Sequence, residues 1–208
     1  MHMILHYLIS IPVSIMFSRL LVRPLRKLSY SDDPIFYDDM GFMLSVILSL
    51  SFMLSIYMKP DVLSKVIMVI FLFCLCCITY TDTQSGYIFD RFHIIICIVG
   101  VMLLLSDLSL ENLKFRLFGC MIGGGFLELM NFLSLIIFKK EGIGGGDIKL
   151  CFACGFVLGI SGIIYGFLLA FFPAAVYSCI SKLTRGQEIS LGPFLCISFA
   201  AIYCIGMA

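Results

Sequence analysis

The chain has 208 residues, of which 61% are hydrophobic and only 13% are charged. An average soluble domain is about 45–50% apolar and about 25% charged, so this composition excludes an ordinary water-soluble fold and a disordered chain alike. The 14 basic and 13 acidic residues nearly cancel to a net charge of +1, which argues against a nucleic-acid partner. We therefore expect a lipid bilayer to surround most of the chain.

Apolar segments along the chain predict an all-α fold, a polytopic bundle of membrane helices. A helix needs about 20 mainly apolar residues to cross a bilayer. By this measure about eight transmembrane helices are predicted, near residues 3–21, 40–58, 62–80, 92–106, 117–138, 148–160, 162–181 and 190–207. The first is interpreted as a signal anchor, since its positive charges follow the apolar run and no small-residue cleavage site is evident.

The basic residues predict the orientation of these spans, because Lys and Arg accumulate in cytoplasmic loops. One set of alternate loops holds ten of them: Arg19, Arg23, Arg26, Lys27, Arg91, Lys139, Lys140, Lys149, Lys182 and Arg185. The other set holds four: Lys59, Lys65, Lys114 and Arg116. The first set is therefore predicted to face the cytoplasm.

Cysteine and histidine do not form a pattern that indicates a metal site or a nucleophile. Most of the ten cysteines lie in apolar runs, where a free thiol packs as a small hydrophobic group. Cys151 and Cys154 form one C-x-x-C without a second pair, and the three histidines lack metal-ligand spacing. We predict no metal, no cofactor and no Ser or Cys nucleophile.

Two acidic loops fall on the predicted cytoplasmic side, and these carry the candidate chemistry. Asp82 follows the third predicted span, and Asp147 opens the sixth directly after Gly144, Gly145 and Gly146. An ionisable group at the membrane end of a helix is costly to desolvate, so it indicates function. Two such carboxyl groups, if brought together, share a proton: one acts as a base towards water and the other as an acid.

The glycines before Asp147 have two expected uses. They allow a substrate backbone or a neighbouring helix to approach closely, and they permit backbone angles that other residues avoid. Asp147 itself has a second interpretation, as the N-cap of the sixth span, with its carboxylate accepting backbone N–H groups. The sequence is compatible with both roles.

These residues resemble the type IV prepilin peptidases, the bacterial branch of the G-x-G-D intramembrane aspartic proteases. The segment 144–150, Gly-Gly-Gly-Asp-Ile-Lys-Leu, is similar to the family's second catalytic motif, and Asp82 followed by Ile88 is similar to its first. Gly-Pro-Phe-Leu at 192–195 is similar to the C-terminal signature of the family. The resemblance covers roughly residues 70–208, so we divide the chain into N-terminal membrane helices, 1–69, and a peptidase core, 70–208.

The resemblance implies an activity, a partner and a location. Enzymes of this family remove the short basic leader of type IV prepilins or pseudopilins at the cytoplasmic face of the bacterial inner membrane. Asp82 and Asp147 are then the catalytic residues, shaped by Gly144, Gly145 and Gly146. Pilus assembly or type II secretion is the implied context, and neither the oligomeric state nor the individual substrate follows from it.

Two departures from the family pattern bear on this expectation. Where relatives often have Ile-Pro, the chain has Ile88-Phe89, so the loop lacks the backbone angle that proline fixes. Residues 22–39 contain no cysteine, whereas many relatives carry paired C-x-x-C motifs there, in the region that accompanies N-methylation with S-adenosylmethionine. We therefore predict no structural zinc, and methyltransferase activity is left open.

Three more polar residues are candidates for support of the site. Glu128 lies within the fifth predicted span, where hydrogen bonding between helices is favoured over a place in the substrate channel. Asp90 is expected to solvate its loop or to support the first motif. Lys149 is expected either to pair with an acidic group or simply to mark the cytoplasmic boundary.

Two other functions remain open at this level. In a transporter or channel, Asp82, Glu128 and Asp147 would bind cations or relay protons. Acids of a relay are expected at several depths in the bilayer, whereas two of these lie at one boundary. A noncatalytic membrane partner of a secretion or pilus apparatus would tolerate the loss of both aspartates.

Overall fold

A computed structural model describes residues 62–140, 142–184 and 190–206, and these form helices connected by short loops. The all-α prediction is confirmed over these ranges, which contain no strand. The helices are α1 (Val62–Ser85), α2 (Asp90–Ser106), α3 (Leu110–Phe138), α4 (Gly145–Thr184) and α5 (Gly192–Ile205). The predicted spans 3–21 and 40–58 lie outside the described residues, so the prediction of eight spans stands untested as a whole.

Three of the described helices have the length and composition of membrane spans. Three apolar segments of the described chain are long enough to cross a bilayer: Val62–Thr83, Leu110–Phe138 and Gly145–Cys179. α5 is a shorter apolar helix of 14 residues. Large apolar side chains are exposed along α2, α3 and α4, including Ile98, Phe132 and Leu168. Surfaces of this kind are stable when they face lipid.

The chain forms two compact units, residues 1–77 and 78–208. All of the packing described below lies within residues 78–208.

Helix α4 reverses direction at Gly159, which has a non-helical backbone (φ 69°, ψ −171°). The contacts of Gly123 in α3 indicate this reversal. A Cβ on Gly123 would lie 2.5 Å from the carbonyl oxygen of Cys151 and 3.1 Å from Ile163 Cγ1. Residues on both sides of Gly159 thus lie against one residue of α3. The two arms of α4, 145–158 and 160–184, agree with the separate predicted spans 148–160 and 162–181, and glycine supplies the positive φ that joins them.

Small residues allow α3 and the first arm of α4 to pack closely. A Cβ on Gly119 would lie 2.5 Å from the Gly155 carbonyl oxygen and 2.6 Å from Gly159 Cα. No side chain fits in such a gap, so backbone packs directly against backbone, as is common between membrane helices. Together with Gly123 against Cys151, this fixes an antiparallel register for α3 and the first arm.

Arg116 forms hydrogen bonds with the C-terminal end of this arm, next to Gly159. Its guanidinium is buried and donates to the carbonyl oxygens of Phe156 (3.3 Å) and Val157 (2.8 Å), and to Asn112 Oδ1 (2.9 Å). The last four carbonyls of a helix have no partner within the helix, and burial without one is costly. Arg116 therefore satisfies the helix end that the reversal at Gly159 creates.

The loop that leads into α4 is fastened back onto α3. Asn131 Oδ1 accepts hydrogen bonds from the backbone N–H groups of Gly142 (3.1 Å) and Ile143 (3.2 Å). Ser134 Oγ donates to the carbonyl oxygen of Lys140 at 3.0 Å. These contacts determine where the first turn of α4, with its aspartate, enters the helix bundle.

Candidate functional site

Asp82 lies in the last turn of α1, close to the point where that helix ends. Its backbone carbonyl accepts from Gly86 N at 2.9 Å, and Gly86 has a positive φ of 65°, which ends the helix. The Asp82 side chain is only 6% exposed, although it is an acidic group at a helix end. A carboxyl group buried in this way needs specific partners.

Asp147 lies in the first turn of α4, but it is not the N-cap. Helix α4 begins at Gly145, and the Gly144 carbonyl accepts from the N–H groups of Asp147 (3.1 Å) and Ile148 (3.3 Å). Gly144 therefore occupies the capping position, and the N-cap interpretation of Asp147 is wrong. The Asp147 side chain is 9% exposed, and its Oδ1 has no hydrogen-bond partner within the described part of the chain.

The two aspartates meet at Gly192, the first residue of α5. A Cβ placed on Gly192 would contact Asp82 Oδ2 and would lie 3.0 Å from Asp82 Cγ. The same Cβ would lie 3.2 Å from Asp147 Oδ1. Both carboxyl groups thus approach one backbone position from different helices, and the absent side chain leaves the space between them open.

The three glycines before Asp147 differ in their surroundings. A Cβ on Gly146 would lie 3.1 Å from Ile88 Cβ. Because Gly146 has no side chain, the loop after α1, which contains Ile88, packs closely against the first turn of α4. Gly145 has open space around it, and Gly144 would meet only Asp147 Oδ2, at 3.6 Å. None of the three has a positive φ, so the expected unusual backbone angles are not present. Close approach is required at Gly146 alone.

The backbone at Phe89 has the conformation that the proline absent from the first motif would impose. Phe89 is the N-cap of α2 and has φ −72° and ψ 129°. Proline fixes φ near −65°, so Phe89 adopts the angle that proline would impose. Its ring also packs edge-on against Phe92, with centroids 6.4 Å apart. The loop therefore keeps a proline-compatible backbone without proline.

Asp90 and Lys149 form an ion pair beside the site. Lys149 Nζ donates to Asp90 Oδ1 at 2.8 Å, and both side chains are largely exposed. The Lys149 ammonium, through this hydrogen bond and its charge, holds the pKa of the Asp90 carboxyl below its ordinary value. The buried His93 has its Nδ1 3.7 Å from the same carboxyl oxygen. The pair connects the first turn of α2 to the beginning of α4.

Glu128 behaves differently from the expectation for a buried acid. It is exposed on α3, and it forms no hydrogen bond with another described residue, so the expected hydrogen bond between helices is absent there. The face of α3 that packs on α4 carries Gly119, Gly123 and Leu127, which are buried. Glu128 is one residue beyond Leu127, which turns its side chain about 100° away from that face.

Two residues of the site were missed as site residues by sequence reasoning. Gly192 belongs to the Gly-Pro-Phe-Leu signature, so its place in the motif was a signal, but its contact with both aspartates was not predicted. Ser190 precedes that signature by two residues, and its Oγ donates a hydrogen bond to Asp82 Oδ2. Among the described residues, no three His, Cys, Asp or Glu side chains are grouped closely enough to hold a metal ion.

Comparisons with known proteins identify a family that this chain matches. Residues 69–179 match the model of the type IV leader peptidase family, and they include both aspartates. The chain is also similar to a prepilin leader peptidase/N-methyltransferase of Neisseria gonorrhoeae, with 26% identity over 121 residues. That alignment covers 58% of this chain and 42% of the relative, so the chain spans well under half of the relative's length. No solved structure matches.

Proposed function

Because the chain belongs to the type IV leader peptidase family, we propose that it is an intramembrane aspartic endopeptidase with Asp82 and Asp147 as its catalytic pair. The observation that carries the proposal is the approach of both buried carboxyl groups to Gly192. The proposed reaction requires one of these carboxyl groups to be ionised and the other to be protonated. That state combines a base and an acid in one site.

The proposed reaction is direct attack of water on the scissile peptide. The ionised carboxylate takes a proton from water while the water oxygen bonds to the carbonyl carbon. The protonated carboxyl donates its proton to the carbonyl oxygen, which gives a neutral tetrahedral intermediate with no covalent bond to the enzyme. The C–N bond then breaks as the amine nitrogen takes up a proton from the pair, while one hydroxyl of the intermediate gives its proton to the ionised carboxylate. The carbonyl re-forms as a carboxylic acid, and the pair again holds one proton.

The proposed substrate is a type IV prepilin or pseudopilin with a basic leader and an apolar helix. The apolar helix would lie in the bilayer, and the leader would reach the pair from the membrane surface. The excess of Lys and Arg in the loops on the site's side supports a cytoplasmic orientation, and we place the protein in the bacterial inner membrane as a multi-pass enzyme. The peptidase core is assigned to residues 70–208.

Methylation of the product is left out of the proposed function. The relative's name includes an N-methyltransferase, but the alignment covers only 42% of that protein. The segment 22–39 of this chain contains no cysteine, in contrast to the paired C-x-x-C motifs of bifunctional relatives. No cofactor is therefore assigned to the reaction.

The alternative of a proton or cation relay is less well supported. The register of α3 against α4, with Gly119 at Gly155 and Gly123 at Cys151, brings Glu128 level with Gly146. Asp82, Glu128 and Asp147 are thus found at one end of the bundle, while a relay needs acids spread across the bilayer. Glu128 is also exposed, unlike the two aspartates.

The test is leader removal from a candidate prepilin that is co-expressed with the protein in membranes and followed by mass spectrometry. Asp82→Asn and Asp147→Asn keep the size of each side chain and remove its acid–base function. We expect cleavage by wild type and a loss of about 100- to 10,000-fold in each variant, since acid–base groups contribute about 10²–10⁴-fold each. The product mass also reports whether a methyl group is added.

The matched control is Asp107→Asn, the same chemical change at an exposed position beyond the far end of α2. This variant should cleave like wild type at equal expression. Cleavage that survives both Asp82→Asn and Asp147→Asn would overturn the aspartic mechanism. Normal leader processing in cells that lack the protein and express only the prepilin would overturn the assignment of substrate.

A further inference from the structure

Ser190 contacts Asp82 from outside its own helix. It is half-buried, it lies directly before the start of α5, and its Oγ donates a hydrogen bond to Asp82 Oδ2. The two residues are 108 positions apart in the sequence, so tertiary packing alone creates this contact. A hydroxyl that donates to a carboxylate forms a charge-assisted bond, which is roughly twice as strong as a neutral one.

The carboxyl group of Asp82 needs such a partner if its orientation is to be fixed. The χ2 torsion of aspartate joins sp³ and sp² carbons and has a broad energy profile, so the side chain does not itself determine the plane of its carboxyl group. Gly192 also lies against Asp82 Oδ2, but it has no side chain that could hold the carboxyl group. A bond from Ser190 to one oxygen selects one plane and directs the second oxygen away from it.

Within the described residues, one oxygen of the other aspartate lacks such a partner. Asp147 Oδ1 is buried and has no hydrogen-bond partner among the described residues. One carboxyl of the pair is therefore held by a neighbouring hydroxyl, while the other has an oxygen that none of the described residues binds. This difference gives the two aspartates distinct surroundings within one site.

We propose that Ser190 is a positioning residue for Asp82: its hydroxyl fixes the plane of the carboxyl group so that the free oxygen faces the water that attacks the peptide. This proposal rests on the proposed function and adds a residue to it. Ser190 acts through Asp82 and does not itself react. A misplacement of about 1 Å in a reacting group can cost on the order of 100-fold in rate.

The test compares Ser190→Ala with Ser190→Thr in the full-length protein, purified in detergent and supplied with a prepilin. Ser190→Ala should lower kcat by roughly 10- to 100-fold with little change in KM, because the binding surface for the leader and the apolar helix is retained. Ser190→Thr keeps the hydroxyl and should restore kcat to within a few-fold of wild type. Rescue by Thr separates the hydroxyl bond from a general effect of packing.

Ser106→Ala is the matched control. Ser106 Oγ donates to the Met102 carbonyl within α2 at 3.0 Å, in an exposed position away from the aspartates, so its loss should leave kcat unchanged. Wild-type kcat in Ser190→Ala would overturn the positioning role. Equal losses in Ser190→Ala and Ser190→Thr would overturn it as well, since the hydroxyl would then be irrelevant.

A spectroscopic measurement makes the proposal independent of cleavage. The carboxyl bands of Asp82 can be identified by infrared difference spectroscopy of wild type against Asp82→Asn. Ser190→Ala should shift these bands, and Ser190→Thr should not. An unchanged band in Ser190→Ala would overturn the Ser190–Asp82 bond whether or not the protein cleaves, whereas absent cleavage with a shifted band would count against the proposed function alone.

Discussion

Lys149 Nζ lies 2.8 Å from Asp90 Oδ1, and this ion pair joins the beginning of α4 to the first turn of α2. Asp147 lies two residues before Lys149, and the loop before α2 contains Ile88, which packs against Gly146. The ion pair and the Ile88–Gly146 contact thus hold the two motif-bearing segments against each other from neighbouring points. Each is open to a direct test.

The ion pair predicts a pH-dependent contribution to stability. Lys149 lowers the pKa of Asp90, so the pair stabilises the folded protein above the ordinary pKa of aspartate. This contribution is lost as the pH falls through the lowered pKa. Lys149→Met should therefore lower the thermal midpoint slightly near neutral pH, and its difference from wild type should disappear in acid. Thermal unfolding in detergent across the acidic range measures this.

Salt gives a second check on the ion pair. Both side chains are largely exposed, so salt should weaken the effect of Lys149→Met. Lys114→Met removes an exposed lysine near the start of α3, away from this ion pair, and should show no such pH dependence. A difference between Lys149→Met and wild type that persists unchanged into acid would contradict the assignment to Asp90.

The position of Gly192 between the two aspartates leaves no room for a side chain. Gly192→Ala places a Cβ against Asp82 and 3.2 Å from Asp147 Oδ1, so it should displace at least one carboxyl group. We expect a loss of cleavage of roughly 100-fold or more, measured as kcat. Gly145→Ala is the matched control: its Cβ would have open space, and cleavage should be retained. Comparable activity of the two variants would contradict the geometry of the site.

We expect position 89 to tolerate the proline that the first motif of this chain lacks. Its φ of −72° suits proline, so Phe89→Pro should preserve the loop and keep cleavage within a few-fold of wild type. The backbone gain from proline at a compatible site is about 0.4–1 kcal/mol, and the loss of the Phe89–Phe92 ring contact opposes it. Cleavage and thermal midpoint are measured side by side. A complete loss of cleavage in folded Phe89→Pro would show that the loop needs another backbone conformation.

We expect Arg116 to stabilise the end of the first arm of α4. Arg116→Met leaves the carbonyls of Phe156 and Val157 without their donor. Hydrogen bonds to charged groups contribute about 1.5–3 kcal/mol, so the free energy of unfolding should fall by about 2 kcal/mol. For a protein of this size the thermal midpoint should drop by roughly 4–8 °C. Arg116→Lys should recover part of the loss, while Lys114→Met should have no effect. Equal midpoints for Arg116→Met and wild type would refute the capping role.

Much of this protein followed from the order of its residues. The all-α membrane class came from apolar composition, because apolar segments of spanning length satisfy their backbone only as helices in lipid. The break between two spans near residue 160 came from segment length, and the structure has it at Gly159. Asp82, Asp147 and the glycines were found because acids are rare in an apolar chain and the pattern around them resembles a known family. These are local properties, which sequence displays directly.

Contacts between distant residues were decided by tertiary packing. Nothing in the spacing of Ser190, Gly192 and Asp82 indicates that α5 begins beside the end of α1, and only the folded chain brings Asp147 to the same point. The N-cap interpretation of Asp147 failed because Gly144 starts the helix earlier, and Glu128 faces outward because α3 turns a different face to α4. Sequence alone determined which side chains are costly to bury and where the helices run. The tertiary structure decided which of those side chains meet, because that depends on the register and rotation of each packed helix, and these are set by close contacts such as Gly119 against Gly155.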